Sequence, residues 1–363
     1  MRIVEYGNSK YLSKNIISVL AGFVFVFFLL LGFTILSFPS IHVKASIGNT
    51  TKDMSFANVT QYEFVKNWGG EGDEEGQFER PHDLDFSPTE DKLYVIDRDN
   101  QRVQVFDKNG TYLFEWGSEG EGEGEFTLPY GMDVDSEGNV WVADRGGNRI
   151  QKFDPEGNFL LEFGSDGTGE GEFSHPRQVA VDEALQYVYV ADSRNHRIQK
   201  FDINGNFIDS FGTEGNQSGQ FNLPTSVIID SRGYLYINER GNERVQKFDA
   251  NGNPILMWGS KGSGPNQFCH VEHLAVDKFD NIYVTDPQSD PGCSDEARIS
   301  KFDSNGHFIT QWKLFGVQAG VSNLDPEHMA IDSEGNIYVS ERTDDQIQVY
   351  KPVINGSSTA VTS

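Results

Sequence analysis

Six side chains that could bind a ligand occupy the same place in six similar passages of the chain. Each comes directly after a recurring proline, which is replaced by valine in the fifth passage. They are His82, Tyr130, Arg177, Thr225, Glu272 and Glu327. Imidazole and carboxylate groups are ligands for Zn²⁺, and carboxylates also bind Ca²⁺, so His82, Glu272 and Glu327 could together hold a divalent metal ion. The other hypothesis is a polar channel filled with water, in which none of them binds a metal.

The passages that carry these residues recur about every 47–48 residues. Clear copies are GQFERPHDLDF (76–86), GEFTLPYGMDV (124–134) and GQFNLPTSVII (219–229). Each unit contains four short runs of apolar or β-branched residues, separated by turns rich in Gly, Asn, Asp or Pro. A period of this size with short strands predicts a β-propeller with one four-stranded blade per unit.

The two ends of the repeated region predict how the ring closes. The last unit supplies only three strands, whereas residues 62–69 resemble the fourth strand of the other units. We therefore predict an all-β, six-bladed propeller over residues 62–351, in which the N-terminal strand completes the sixth blade. Closure of this kind removes the open sheet edges that promote aggregation. The six variable residues open the innermost strands and should lie at the mouth of the central channel. His273 and His328, one position later, are expected to point elsewhere because side chains alternate along a strand.

An uncharged stretch precedes the propeller. Residues 16–38 contain no charged side chain and are long enough to cross a bilayer of about 30 Å as a helix. Basic residues are concentrated before this stretch, which predicts a cytoplasmic segment over residues 1–15 and export of the remainder. We expect a transmembrane helix that anchors the propeller on the extracellular side of the cell membrane. The alternative is a signal peptide cleaved after Ala45, which would release a secreted protein.

The flanking segments are polar. Residues 39–61 are predicted to form a linker between the helix and the propeller, and residues 352–363 to form a disordered tail.

A second set of residues repeats in every unit instead of varying. An acidic residue ends the second strand of each blade, and an arginine begins the third strand in five of them. The pairs are Asp97 and Arg102, Asp144 and Arg149, Asp192 and Arg197, Glu239 and Arg244, and Asp286 and Arg298. Because a planar guanidinium group can bind a carboxylate and loop carbonyls together, we predict that these pairs are structural clamps. Gln346 replaces the arginine in the last unit, so that blade should be the loosest.

The segment around each clamp matches a known repeat. The pattern D-x-x-N-x-R-[IV]-Q-x-F-D appears as DRDNQRVQVFD (97–107) and DSRNHRIQKFD (192–202), and with Glu first as ERGNERVQKFD (239–249). This resembles the NHL repeat, and the resemblance covers about residues 62–351. It implies a six-bladed propeller, a fold that NHL proteins use mostly as an interaction platform and less often as an enzyme. Pro81-His82-Asp83 also resembles the Pro-His motif of the peptidyl-hydroxyglycine amidating lyases, which bind zinc through channel histidines; here only His82 matches.

The net charge of the chain limits the classes of molecule that it is expected to bind. The net charge is −26, so nucleic acid is not an expected partner, because its phosphates would be repelled. Arg98, Arg145, Arg240 and Arg342 directly follow the acidic residue that ends the second strand in four units, and with the clamp arginines they could form a positive ring that suits an anionic peptide or glycan. Local pairing with the Glu-rich connectors (69–76, 117–125 and 164–172) is the alternative.

Two functions are consistent with these features. The first is a non-catalytic, membrane-tethered platform without a cofactor that binds a protein, a peptide or an envelope glycan. The second is a metal-dependent lyase or hydrolase at the channel mouth, with His82 and Glu272 or Glu327 as ligands. In that case Arg177 and Tyr130 would contact the substrate or transfer protons.

The two cysteines predict a cross-link. Cys269 lies in the connector before blade 5, and Cys293 lies in an insertion within that blade. An exported chain meets oxidising conditions, so a disulfide between them is expected to pin the insertion.

Overall fold

The computed structural model describes residues 61–287, 297–314 and 325–353. Within these ranges the chain forms six four-stranded antiparallel sheets and a single 3₁₀ turn, Ser193–Asn195. The all-β, six-bladed prediction is therefore confirmed. None of the helical structure in the described ranges has the length and apolar character needed to cross a membrane. The predicted helix over 16–38 and nearly all of the predicted linker and tail lie outside the described residues.

The two inner strands of each blade lie nearest the propeller axis. The innermost strands are β2 (Pro81–Phe86), β6 (Pro129–Val134), β10 (Pro176–Asp182), β14 (Pro224–Ile229), β18 (Leu274–Val276) and β22 (Pro326–Ile331). The second strands are β3 (Leu93–Asp97), β7 (Val140–Asp144), β11 (Tyr187–Asp192), β15 (Leu235–Glu239), β19 (Ile282–Asp286) and β23 (Ile337–Glu341).

The two outer strands complete each blade. The third strands are β4 (Arg102–Phe106), β8 (Arg149–Phe153), β12 (Arg197–Asp202), β16 (Arg244–Phe248), β20 (Arg298–Phe302) and β24 (Gln346–Pro352). The fourth strands are β5 (Tyr112–Trp116), β9 (Phe159–Phe163), β13 (Phe207–Phe211), β17 (Pro254–Trp258), β21 (Phe308–Lys313) and β1 (Tyr62–Gly69).

The N-terminal strand closes the ring. β1 pairs antiparallel with β24, with Tyr62 opposite Pro352 and Gly69 opposite Gln346. The indole of Trp68 on β1 lies 6.0 Å from the ring of Phe106 in blade 1, so the strand also packs against the neighbouring blade. The sixth blade is thus built from both ends of the propeller, as the incomplete last repeat predicted.

Apolar packing between neighbouring blades forms the core. One cluster joins Tyr94 and Ile96 of blade 1 to Met132 and Val140 of blade 2, and similar clusters occupy the other interfaces. A phenylalanine anchors this packing in each of the five connectors that lead into blades 1 to 5: Phe78, Phe126, Phe173, Phe221 and Phe268 are all fully buried. Burying a side chain of this kind stabilises the fold by roughly 1.5–3 kcal/mol, so every interface contributes to holding the inner strands in place.

The clamp residues lie in contact at the end of the second strand. In blade 1, Arg102 Nε donates to Asp97 Oδ2 at 2.8 Å, and Nη1 donates to the carbonyl oxygen of Asp73 in the connector at 2.8 Å. Blades 2 to 5 repeat the Nε contact at 2.6–3.1 Å, in the pairs Arg149 with Asp144, Arg197 with Asp192, Arg244 with Glu239 and Arg298 with Asp286. Each arginine therefore fastens a connector to its blade.

The sixth blade lacks this contact. Its Gln346 side chain bonds to Asn67 and to Asp344, and it makes no bond to Glu341. Glu341 instead accepts backbone N–H groups of Asp325 and Thr343.

A bulge at the start of the innermost strands positions the candidate site. In five blades the register with the second strand shifts just after the repeat proline, for example between Pro81 and Leu84 and between Pro326 and Met329. A bulge adds an unpaired residue and re-aims its neighbours. As a result, two consecutive side chains of these strands face the axis, and the channel is filled by two layers of polar residues.

Candidate ligand site at the channel mouth

The first layer consists of the six residues that follow the repeat proline: His82, Tyr130, Arg177, Thr225, Glu272 and Glu327. All except the half-buried Arg177 are at most 5% exposed, so they fill the channel instead of lining an open one. The ligand atoms of His82, Glu272 and Glu327 all lie within 4.8 Å of one another. Tyr130 packs on His82 with ring centroids 3.7 Å apart. The structure thus brings together the three residues that the sequence grouped as candidate metal ligands.

Thr225 has a different role from its neighbours in the ring. Its Oγ1 lies 2.9 Å from the carbonyl oxygen of Glu272 and 2.9 Å from Asn238 Oδ1. Both contacts are buried, so the hydroxyl holds the backbone of the next blade and does not face a ligand.

Glu272 is the electrostatic centre of the first layer. Its Oε1 accepts hydrogen bonds from Arg177 at 2.9 Å and from the Tyr130 hydroxyl at 3.1 Å, and its Oε2 lies 3.1 Å from His270 Nε2. Burial opposes ionisation of the carboxyl, but Arg177 and His270 outweigh it and hold its pKa well below the usual range. Glu272 is therefore a carboxylate whose two oxygens are already engaged.

Glu327 and His82 form a second pair in this layer. Glu327 Oε1 lies 2.7 Å from an Arg342 nitrogen, and its Oε2 lies 3.5 Å from His82 Nε2. Burial and the nearby Glu272 raise the pKa of Glu327 to about 7. Burial and the neighbouring His328 lower the pKa of His82 far below its usual range, and neither of its ring nitrogens has a hydrogen-bond partner. His82 is therefore a neutral, buried imidazole with unsatisfied nitrogens.

A second layer lies directly behind the first, where Asp83, His273 and His328 converge. Their ligand atoms also lie within 4.8 Å of one another, and all three are at most 4% exposed. His328 Nδ1 is 2.9 Å from Asp83 Oδ1, and the rings of His273 and His328 stack at 4.0 Å. Burial and His328 lower the pKa of His273 to about 3, which keeps its imidazole neutral.

Sequence reasoning missed this second triad, and the expectation that His273 and His328 point elsewhere was wrong. Strict alternation would turn consecutive residues to opposite faces, but in blade 6 the bulge lets both Glu327 and His328 face the axis. In blade 5 the regular pairing begins only at Leu274, after Glu272 and His273. The available signal was the dipeptide Glu-His, which occupies the same place in blades 5 and 6, opposite His82-Asp83 in blade 1.

Arginines surround the first layer on the face where the second strands end. The expected Arg98, Arg145, Arg240 and Arg342 are joined there by Arg177 and Arg194. Arg98 pairs with Asp99, and Arg342 pairs with Asp325 and Glu327. Within the described ranges, Arg145, Arg194 and Arg240 have no carboxylate at ion-pair distance, and none of these arginines pairs with the Glu-rich connectors.

Arg145 shows the electrostatic character of this mouth most clearly. Its guanidinium carbon lies 5.1 Å from the ring centre of Tyr130, and that of Arg177 lies 4.9 Å from the same ring. Arg145 Nε is buried without a hydrogen-bond partner. Burial and the neighbouring Arg177, Arg98 and Arg194 lower the pKa of Arg145, which is the effect expected of crowded positive charges.

A cavity of about 240 Å³ opens on the other side of the second layer. Asp83 and His273 form part of its wall, and apolar residues of the innermost strands form most of the remainder. Asp85 and Asp133 also face it, and burial raises the pKa of Asp85 to about 7. The two polar layers therefore separate the arginine-rich mouth from this cavity.

Only one of the two cysteines, Cys269, lies within the described residues. Cys269 is buried and disulfide-bonded. Cys293 lies outside the described residues, so its predicted pairing with Cys269 stays a prediction.

Two family descriptions match parts of the chain. Residues 71–159 match the family described as 6-bladed beta-propeller, and residues 173–201 match the NHL repeat. A search of the curated proteins finds no match. Neither description concerns the amidating lyases, so that resemblance stays a prediction.

Solved structures show the same fold at low sequence identity. A structural genomics protein of unknown function from Bacteroides thetaiotaomicron VPI-5482 has a TM-score of 0.59 at 16% identity, over 80% of this chain and 75% of that one. A streptogramin B lyase has a TM-score of 0.56 at 12% identity, over 80% and 98%. Hydrazine synthase of Kuenenia stuttgartiensis has a TM-score of 0.54 at 15% identity, over 77% and 78%. Identities this low establish the fold and leave the function to the site itself.

Proposed function

We propose that this six-bladed propeller with NHL repeats is a non-catalytic binding platform that holds an anionic peptide or glycan at its arginine-rich mouth. The observation that carries the proposal is the set of three mouth arginines that have no carboxylate partner in the part of the chain that the structure describes: Arg145, Arg194 and Arg240. They stand out in a chain with a net charge of −26, in which 55 acidic residues outnumber 29 basic ones.

Crowded, partly buried cations cost free energy unless an anion compensates them. Arg145 has a buried nitrogen without a partner, so a bound carboxylate or phosphate would satisfy a group that the protein leaves unsatisfied. The planar guanidinium fork also matches such anions in a two-point contact. The surrounding acidic surface would repel a long polyanion, which favours a short anionic segment over nucleic acid.

The first layer supports this mouth and is not itself expected to contact the ligand. Glu272 holds Arg177 at 2.9 Å and receives the Tyr130 hydroxyl, and the Tyr130 ring in turn lies beneath the guanidinium groups of Arg145 and Arg177. Buried contacts of this kind preorganise the arginines, which lowers the entropy lost when a ligand binds.

The placement of the platform is part of the proposal. A helix over residues 16–38 would tether the propeller to the outer side of the cell membrane, where envelope glycans and secreted peptides are the available anionic partners. Protease treatment of intact cells tests this placement, because a propeller on the outside is digested and one on the inside is protected.

Isothermal titration of the full-length chain, purified in detergent, tests the binding function. The probes are hexaglutamate and a uronic-acid hexasaccharide, with hexalysine as the negative control. We expect at least one anionic probe to bind at low salt and to bind at least ten times more weakly after Arg145→Gln combined with Arg240→Gln. Arg232→Gln is the matched control, because Arg232 is exposed and paired with Asp230. Equal binding by the mouth variant, or no binding of either anion, would contradict the proposal.

The second candidate function is a metal-dependent lyase or hydrolase that uses His82, Glu272 and Glu327. Their convergence within 4.8 Å favours it. The residues fit a metal poorly, however, because Arg177 and Arg342 occupy the carboxylates and a cation placed there would meet both guanidinium groups. Metal that is retained by the wild-type chain and lost in His82→Gln alone would support this candidate.

A further inference from the structure

We propose that the second layer, formed by Asp83, His273 and His328, is a binding site for a transition-metal ion, with Zn²⁺ as the best match. The site goes beyond the proposed anion binding and does not depend on it. One ligand comes from each of blades 1, 5 and 6, and the ligand atoms all lie within 4.8 Å of one another. All three side chains are at most 4% exposed, so the group is held inside the scaffold and is not a chance surface cluster.

The donor set selects the class of metal. Two imidazole nitrogens and one carboxylate oxygen are a ligand set that Zn²⁺ uses with a fourth position left open. Ca²⁺ and Mg²⁺ prefer shells made of oxygen alone, which three ligands of mixed type do not supply.

The carboxylate is oriented by neighbours as a metal ligand should be. Asp83 Oδ2 accepts hydrogen bonds from the Met132 N–H at 2.6 Å and from Gln178 Nε2 at 3.1 Å. These contacts turn Oδ1 toward His328, which lies 2.9 Å away. Outer contacts that fix the orientation of a ligand are a recurring feature of metal sites.

The second layer contains a buried nitrogen that a bound metal ion would satisfy. His328 Nδ1 lies 2.9 Å from Asp83 Oδ1, and this buried nitrogen has no assigned hydrogen-bond partner among the described residues. Buried polar atoms without partners are costly, and a metal ion would satisfy such nitrogens.

In the part of the chain that the structure describes, the second layer also lacks the pairing of arginine with carboxylate that disfavours a metal ion in the first layer. Among the described residues, no arginine or lysine bonds to Asp83, whereas arginines bond to both glutamates of the first layer. Asp83 and His273 form part of the wall of the 240 Å³ cavity, which supplies an access route and room for a water molecule in the open position.

Metal analysis of the full-length chain tests the site. The protein is stripped with a chelator, incubated with Zn²⁺ or Ca²⁺, passed through gel filtration and measured by mass spectrometry of the metal. We expect one Zn²⁺ per chain and no retained Ca²⁺. We expect His273→Gln and His328→Gln to lower the Zn²⁺ content at least tenfold. His82→Gln and His307→Gln should keep it, since neither residue belongs to the triad and His307 has an exposed side chain that pairs with Asp303.

Several outcomes would overturn the inference. They are no Zn²⁺ in the wild-type chain, equal retention of Ca²⁺, and loss of Zn²⁺ in His82→Gln with retention in His273→Gln. Where the triad variants fail to fold, the absorption spectrum of the Co²⁺-loaded wild-type chain decides. Intense visible bands of four-coordinate cobalt support the site, and the pale spectrum of six-coordinate hydrated cobalt contradicts it.

Discussion

The clamps and the channel mouth use the same residue type in opposite ways. Each of the five clamp arginines points its Nε at a buried carboxylate and its remaining nitrogens mostly at connector carbonyls, as Arg149 does with Asp144 and the carbonyl oxygen of Glu125. At the mouth, Arg145 follows that same Asp144 in sequence, yet its guanidinium packs on the ring of Tyr130 and pairs with no carboxylate in the described ranges. Two arginines four residues apart therefore have different partners: Arg149 pairs with a carboxylate, and Arg145 packs on an aromatic ring.

On this comparison, the clamp arginines contribute to the stability of the fold, whereas the mouth arginines are placed to bind a ligand. Contacts repeated in every blade are fully satisfied and hold the ring together, so they leave nothing for a ligand. Contacts that vary from blade to blade include unsatisfied groups. These groups lower the stability of the free protein and become favourable only when a ligand binds to them. The following predictions test whether this division holds.

Breaking a clamp should produce the largest effect on stability. Arg149→Ala leaves Asp144 fully buried and without its guanidinium partner, so we expect the free energy of unfolding to fall by about 3–5 kcal/mol. Urea denaturation followed by tryptophan fluorescence measures this change. The matched variant is Gln346→Ala in blade 6, where no such pair exists, and it should cost less than about 1 kcal/mol. Equal losses in the two variants would show that the clamp is not what holds the connectors.

Removing a mouth arginine should weaken binding and spare the fold. Arg145→Gln removes a cation crowded by Arg98, Arg177 and Arg194, so we expect the free energy of unfolding to change by less than about 0.5 kcal/mol or to rise. Binding of the anionic probe should weaken by about tenfold, or about 1.4 kcal/mol. A large loss of stability with unchanged binding would reverse the comparison.

Replacing the hydroxyl of Tyr130, whose ring lies beneath the mouth arginines, should have an effect on the free energy of unfolding between those of the clamp and mouth variants. Tyr130→Phe keeps the ring but removes the hydroxyl that donates to Glu272 at 3.1 Å, so we expect a loss of about 1 kcal/mol in the free energy of unfolding. Tyr234→Phe is the control and should change little, since no hydrogen bond from the Tyr234 hydroxyl is found in the described part of the chain. If both variants behave alike, the Tyr130 hydroxyl has no structural role.

Glu243, which belongs neither to a clamp nor to the arginines of the mouth, should make the free energy of unfolding depend on pH. Burial raises the pKa of Glu243 to about 7, although it accepts the Val271 N–H at 3.0 Å. The folded chain then holds this proton more tightly than the unfolded chain. The resulting stability is complete below about pH 4.5 and is lost as the pH rises through 7. Glu243→Gln should therefore gain stability relative to the wild type between pH 5 and pH 8, by about 1 kcal/mol after allowance for solvent screening.

Thermal melting at the two pH values measures this difference. The exposed Glu156→Gln serves as the control and should keep a constant offset from the wild type. A constant offset for Glu243→Gln as well would contradict the assigned burial effect.

The sequence was sufficient for the parts of the molecule that repeat. The period predicted six blades, the incomplete last unit predicted that residues 62–69 close the ring, and the alternation of acid and arginine placed each clamp residue at a strand end. Position after the repeat proline also grouped His82, Glu272 and Glu327, which the structure brings together.

The remaining features depend on geometry that repetition does not encode. The bulge after Pro81 and its equivalents turns Asp83 and His328 toward the axis, and the alternation of side chains expected along a regular strand does not predict this change of register. Which arginines remain without partners depends on the distance between loops of different blades. Arg342 reaches Asp325 and Glu327, whereas Arg240 reaches no carboxylate in the described ranges. A period of 47–48 residues carries no information about such contacts.

The most direct test of the division is to locate a bound anion by crystallography. Crystals of the protein soaked in selenate, a tetrahedral dianion, would give an anomalous signal at each occupied site. We predict a peak at the mouth, beside Arg145, and no peak at the clamp arginines Arg102, Arg149 or Arg244. A peak at the clamps, or an empty mouth with selenate bound elsewhere, would contradict this prediction.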